Sequence, residues 1–188
     1  MNTRERIVHA ACASVSDSGL AELTIGDVAS RAGVSTALVH YHFATKKRLL
    51  AAACERLAAL RSNARIAALT GSRGLSALDA LWSVLSGAGA ERAWHDLALL
   101  ARRDASVRRA LGEQRRAEHA AVAGILPQLF ADLGAAPAVA ADDTASAVLL
   151  FLDGAALAVS EGVPTGDVRT AYDAFWLVLV TAVPARGR

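Results

Sequence analysis

Residues 24–49 read T-I-G-D-V-A-S-R-A-G-V-S-T-A-L-V-H-Y-H-F-A-T-K-K-R-L. Thr24 is a good helix N-cap, because its hydroxyl accepts a hydrogen bond from a first-turn N–H that has no partner within the helix. Asp27, three residues on, makes a capping-box-like pair with it. Ile25, Val28, Ala29 and Ala32 then form one apolar stripe at helical spacing. Gly33 ends that helix, since the left-handed residue that closes a helix is least strained as glycine. Ser35 is placed to cap a second short helix only two residues later. Two short helices around a glycine turn make a helix-turn-helix, at about residues 24–43.

At about 100° per residue, Val39 and Phe43 fall on one face of the second helix, and Ala37, His40 and Tyr41 on the other. The first pair is core. The second set is an exposed face carrying a small residue, an imidazole and a phenol, with Thr36 at the first turn. A DNA major groove offers such a face a partner: a threonine or alanine methyl meets a thymine methyl, and His40 hydrogen-bonds a base edge. Tyr41 and His42 reach sideways, where phosphates would lie.

Thr45 reads as the N-cap of a long helix, yet Lys46, Lys47 and Arg48 fill its first turn. Cations there oppose the helix macrodipole by about 0.3–1 kcal/mol each when exposed. Lys46 and Lys47 are also the only lysines in the chain. An anion docked on the free N–H groups reverses the sign of that effect, and a DNA phosphate is the obvious candidate. The plainer alternative is that long solvated side chains escape most of the penalty.

Residues 3–54 resemble the DNA-binding domain of the TetR family of transcriptional regulators. The matching residues are Thr24, Ala29, Ala32, Gly33, Val34, Ser35, Tyr41, His42, Phe43, Lys46 and Leu49, in unbroken register through G-V-S-x-x-x-V-x-Y-H-F-x-x-K-x-x-L. The resemblance implies that Ser35 to His42 form the recognition helix. It also implies that Tyr41, His42 and Lys46 hold phosphates while Thr36, Ala37 and His40 face bases. With the two caps, the expected DNA-binding set is Thr24, Ser35, Thr36, Ala37, His40, Tyr41, His42 and Lys46. Ala44 departs from the family, which often has proline there, and Val15 stands where phenylalanine is common; these touch turn stiffness and local packing, not DNA contacts.

The bulk of the chain agrees with a helical protein. Its 188 residues are 54% hydrophobic but only 5% aromatic, rich in alanine and leucine. Residues 1–50 carry six basic groups (Arg4, Arg6, Arg31, Lys46, Lys47 and Arg48) against four acidic (Glu5, Asp17, Glu22 and Asp27), so the formal excess of +2 sits entirely in this part. That is the distribution nucleic-acid binding wants. Cys12 and Cys54, the only cysteines, belong to no CxxC or Cys/His cluster, so no zinc site is expected and both read as small buried residues. The family packs its first helix against its fourth, which implies that the two thiols approach each other. The N-terminus lacks the long apolar stretch of a signal peptide, so a cytoplasmic protein is expected.

Helix one is expected from about Thr3 to Ser18, with Gly19 as its stop, and helix four from Thr45 to about Leu69. Thr70-Gly71-Ser72-Arg73-Gly74 is the next break. Further helices are expected at 75–86, 91–103, 106–133, 138–161 and 166–182, with a break at Gly87-Ala88-Gly89 and a kink or split at Pro127. The expected fold is all-α. It comprises an N-terminal three-helix helix-turn-helix domain (1–60) and a C-terminal helical regulatory and dimerisation domain (61–188).

Residues 145–159 and 174–183 are apolar almost all round. Such helices are buried on all sides. A membrane span is disfavoured by Asp153 in mid-segment and by the shortness of the second run. Burial between two subunits accounts for both, so a homodimer through helices 138–161 and 166–182 is expected, with Gly154, Ala155, Ala156 and Ala158 permitting close approach. The TetR resemblance implies the same arrangement, and L-F-L-D-G-A-A-L resembles the matching helix of the BetI-like branch. A twofold dimer places two recognition helices about 34–36 Å apart or a multiple of that, so double-stranded DNA carrying an inverted repeat is the expected partner.

In the family, the helical body holds a small molecule. Here Trp82, Trp94, Leu97, Leu100, Phe130 and Phe151 are the large apolar candidates for lining such a site, with His95 and Asp96 as polar anchors; plain core packing is the alternative for each. A mostly apolar effector follows from this lining. Glu91 with His95, Glu118 with His119, and His9 near Cys12 lack a third ligand, and Glu91 with His95 reads as an i, i+4 surface pair. No cofactor and no metal are expected. No nucleophile–base–orienter set assembles, so catalysis is not expected. The alternatives are a DNA-binding regulator without an effector and, more remotely, a helical enzyme.

Overall fold

A computed structural model describes residues 1–87 and 90–181, which form nine α-helices and no strand. They are α1 Thr3–Ser18, α2 Ile25–Ala32, α3 Thr36–Phe43, α4 Lys46–Gly71, α5 Leu75–Ser86, α6 Ala90–Ala101, α7 Ala105–Asp132, α8 Ala141–Ser160 and α9 Thr165–Thr181. The chain is all-α, as its composition and periodicity imply. Ala88 and Gly89 of the expected glycine break, and Ala182 and Val183 at the end of the second apolar run, lie outside the described residues.

The helices divide into two compact units. The first holds α1 to α3, α4 as far as Arg61, α6 and the start of α7 as far as Gln114; the second holds α4 from Ser62, α5, the rest of α7, α8 and α9. The boundary after Arg61 falls inside the continuous helix α4. The segment after it is not all of one kind, since α6 and the beginning of α7 group with the helix-turn-helix. Leu97, Val107 and Leu111 are the reason, being buried in the same core as Ile7, Val28, Val39 and Leu49.

The caps hold the ends of the short helices. Asn2 accepts from the Glu5 N–H while Glu5 accepts from the Asn2 N–H, a full capping box at the start of α1. The core of the second unit gathers Leu78, Leu81, Leu126, Phe130, Leu152, Tyr172 and Trp176. The Tyr172 hydroxyl donates to the Leu78 carbonyl at 2.7 Å, so its one polar atom is satisfied inside that core.

α7 runs through Pro127 without a split. Proline removes one backbone N–H from the ladder, but Val122, Leu126, Leu129 and Phe130 are buried on both sides of it and hold the two halves in one helix. α8 has the length and composition of a membrane span. Its Thr144, Ala145, Val148, Leu149, Leu152, Ala155 and Ala156 nevertheless face the core of the second unit.

Candidate nucleic-acid interface

The head is built from local hydrogen bonds. The Thr24 hydroxyl accepts from the Asp27 N–H at 3.1 Å, and Gly33 closes α2 with φ 61° and ψ 43°, the left-handed conformation a glycine adopts without strain. The Arg6 guanidinium donates to the Ala32 carbonyl at 2.7 Å, satisfying the end of α2 from a different helix. The Ser35 hydroxyl accepts from the Leu38 N–H at 3.2 Å and starts α3. Asp27 is held below the usual carboxylate range by hydrogen bonds from Ser14 and Arg31.

α3 sorts its side chains cleanly. Val39 and Phe43 are buried, while Thr36, Ala37, His40 and Tyr41 are exposed. Tyr41 is 81% exposed, and its ring meets His42 edge-on at 5.3 Å. An aromatic ring so exposed buries little of the surface that normally stabilises it. At the next turn Ala44 has φ 52°, the one non-glycine residue with positive φ among those described. A proline, fixed near φ −65°, cannot take that conformation; the departure from the family at Ala44 therefore changes the turn itself.

The Thr45 hydroxyl accepts from the Arg48 N–H at 3.2 Å, capping α4 just ahead of the cations. Lys46, Lys47 and Arg48 are all exposed. The Lys47 ammonium lies 3.0 Å from Asp104, which also accepts from the Ser106 and Val107 N–H groups at the start of α7. Hydrogen bonds from Ser106 and Lys47 hold the Asp104 carboxyl well below its ordinary range. A carboxylate on the neighbouring segment thus occupies Lys47, while Lys46 has no such partner among the described residues.

The candidate effector residues fall into both units. Trp94, His95, Leu97 and Leu100 belong to the first; Trp82, Phe130 and Phe151 belong to the second. Leu97 is fully buried and Trp94 nearly so, with the Arg61 guanidinium 4.2 Å above the Trp94 ring. Both ring nitrogens of His95 are buried without a hydrogen-bond partner among the described residues. Phe151 stacks on Phe175 at 4.0 Å, Trp82 meets Tyr172 at 5.3 Å, and Phe130 is core.

Charges buried in both units escape a reading of the sequence. Glu91 is not on the surface: it is 4% exposed and accepts from Arg61 Nε at 2.8 Å. In the second unit Arg65 pairs with Asp153 at 3.1 Å and lies 3.8 Å from Glu118, and Arg115 reaches Asp153 at 2.5 Å. Arg61 and Arg65 are one turn apart among Leu57, Ala58, Ala68 and Leu69. That spacing within an apolar stripe is the signal that finds them. The His119 imidazole, set aside as a metal ligand, has its Nε2 3.0 Å from both the Asp142 carbonyl and the Ser146 hydroxyl.

An exposed reading face on a short capped helix, followed by cations at the start of a long one and carried on an all-helical chain, defines the helix-turn-helix class of DNA-binding regulators. The comparisons sharpen this. Residues 7–53 match the family described as "Bacterial regulatory proteins, tetR family". A solved structure described as a TetR-family transcriptional regulator from Rhodococcus sp. is 22% identical, with 95% of this chain and 98% of that chain covered and a TM-score of 0.76. A transcriptional regulator from Saccharomonospora viridis in complex with choline is 24% identical over 92% and 94%, with a TM-score of 0.73. EbrR, a multidrug binding protein solved with imidazole, is 26% identical over 99% and 98%, with a TM-score of 0.65. No curated protein matches. Residues 7–53 thus match the TetR family's DNA-binding segment, and the chain as a whole shares the fold of solved TetR-family regulators.

Proposed function

We propose that the chain represses transcription as a cytoplasmic homodimer, bound to an inverted-repeat operator and released by a small, largely apolar ligand. The observation that carries this reading is the face of α3, where Thr36, Ala37, His40 and Tyr41 stand exposed, followed by the exposed Lys46. Thr36, Ala37 and His40 read bases, and Tyr41, His42 and Lys46 hold phosphates, with Thr24 and Ser35 fixing the helices that present them. Repression is competition with polymerase for the operator.

The dimer is supported by a second surface. Leu150, Gly154 and Leu157 follow one another at helical spacing on α8, and Leu150 is 67% exposed. A Cβ at Gly154 would meet nothing within 4 Å. Leu177 and Val178 on α9 are 61% and 65% exposed. Apolar side chains of this size grouped on two helices need a cover, and the same face of a second copy provides one.

The effector reading draws on relatives that bind choline or imidazole. The specific observation favouring a regulator without an effector is that Phe130 is core, while Trp82 and Phe151 already pack on Tyr172 and Phe175. A thermal-shift screen followed by operator release decides between the two. A compound that raises the melting point and dissociates the protein from DNA supports the ligand; a compound that stabilises without release contradicts it.

A further inference from the structure

Arg4 lies outside the helix-turn-helix and in the first turn of α1, yet its guanidinium carbon is 5.1 Å from the centre of the Phe43 ring. Phe43 ends the recognition helix and is 4% exposed, so it is a fixed platform. Arg4 thereby forms one wall of a cavity of about 620 Å³, whose lining also includes His42, Thr45, Lys47, Arg48 and Glu55.

The neighbouring cations are engaged elsewhere: Arg6 with the Ala32 carbonyl and Lys47 with Asp104. Arg4 and Arg48 form no side-chain hydrogen bond or ion pair among the described residues, with Glu55 included. A cation–π contact engages the charge but uses up none of the guanidinium N–H donors, which can still grip a phosphate in two parallel hydrogen bonds. Arg4 also repeats the anomaly of α4, because a cation in the first turn opposes the helix dipole unless an anion joins it. Two helix starts, α1 and α4, bring unfavourably placed cations into one cleft at the end of α3.

We propose that Arg4 and Arg48, with His42, form a further DNA-phosphate site on the α1 side of the recognition helix. The proposal rests on the DNA-binding reading above. Through Phe43 it ties the end of α3 to a backbone phosphate, which fixes how deeply and at what angle the helix enters the groove.

The test is a salt titration of binding to two duplexes, one carrying the selected inverted repeat and one of random sequence. Arg4→Met keeps an apolar stem on Phe43 and removes the charge; Arg4→Lys keeps the charge. Arg4→Met should lower the slope of log affinity against log salt by about 0.9 on both duplexes, with the preferred sequence unchanged, whereas Arg4→Lys should keep the wild-type slope. An Arg4→Met protein that is folded and has the wild-type slope overturns the site, and so does a changed sequence preference. If circular dichroism shows Arg4→Met unfolded, Arg48→Met decides on the same readout, because Arg48 stacks on no ring in this cleft. A wild-type chain that binds neither duplex overturns the DNA-binding reading itself, and is recognised before any variant is made.

Discussion

Arg65 Nη1 lies 3.1 Å from Asp153 Oδ1, joining α4 to the middle of the most apolar stretch of α8. The arginine side chain is 1% exposed and the aspartate 19%. Removing Asp153 takes a carboxylate from both Arg65 and Arg115 and leaves the buried cluster with excess positive charge, and breaking a buried ion pair typically costs about 3–5 kcal/mol. Asp153→Ala should therefore lower the stability measured by urea denaturation by an amount in that range. A loss below about 1 kcal/mol, the worth of a surface pair, would show that solvent screens the cluster.

Lys46 and His40 should fail differently. Lys46→Ala should weaken binding to every duplex alike and reduce the salt slope by about one. His40→Ala should change which sequence is preferred. Lys46→Ala with altered preference and intact affinity would contradict the phosphate role.

Leu150 and Leu177 are exposed on α8 and α9, so a charge there leaves the protomer's own core untouched. Leu150→Glu or Leu177→Glu should give a folded monomer in sedimentation velocity, because a desolvated charge at a twofold seam meets its own copy. A variant that stays dimeric would place the dimer seam elsewhere.

Both thiols are free and buried in the core of the first unit. The Cys12 Sγ donates to the Ala53 carbonyl at 3.6 Å, and burial pushes the Cys12 thiol up to about 11 and the Cys54 thiol up to about 12. The thiolate is the reactive species, and a raised pKa makes it scarce at pH 8. Native protein should be alkylated at pH 8 far more slowly than urea-unfolded protein, with the native rate still climbing above pH 9. Equal rates in the two states would mean that the thiols are open to solvent.

Ala44 bears a Cβ at φ 52°. Glycine relieves that crowding at the expense of a looser unfolded chain, and the two effects oppose each other at about 1 kcal/mol each. Ala44→Gly should therefore leave the melting temperature within a few degrees of wild type. Ala44→Pro should lower it by far more, since proline cannot hold a positive φ. A proline variant as stable as the wild type would show that the turn adopts another conformation.

The head was the most legible part of the molecule because its determinants are local. Thr24, Gly33, Ser35 and Thr45 act on residues three to five positions away, and the split between Val39 and Ala37 needs only helical periodicity. The apolar faces of α8 and α9 were legible for the same reason. What sequence does not carry is who meets whom at long range. Arg61 and Arg65 look like surface residues until Glu91 and Asp153, 30 and 88 positions away, are brought to them. The grouping of α6 and the start of α7 with the head depends on Leu97 and Leu111 reaching the core of α1 and α4, which no local pattern announces. Of the candidate DNA-binding residues, Thr36, Ala37, His40 and Tyr41 are exposed as periodicity implies, whereas the position of Arg4 over Phe43 spans 39 residues of chain and has no local signature.

The central claim is that α3 reads sequence as one of a symmetric pair. Selection from a random duplex library with the purified full chain at physiological salt tests it most directly. An enriched inverted repeat, with half-sites one helical turn or a multiple of it apart, is the expected result. Recovery of no motif, with only salt-sensitive binding that ignores sequence, would contradict it.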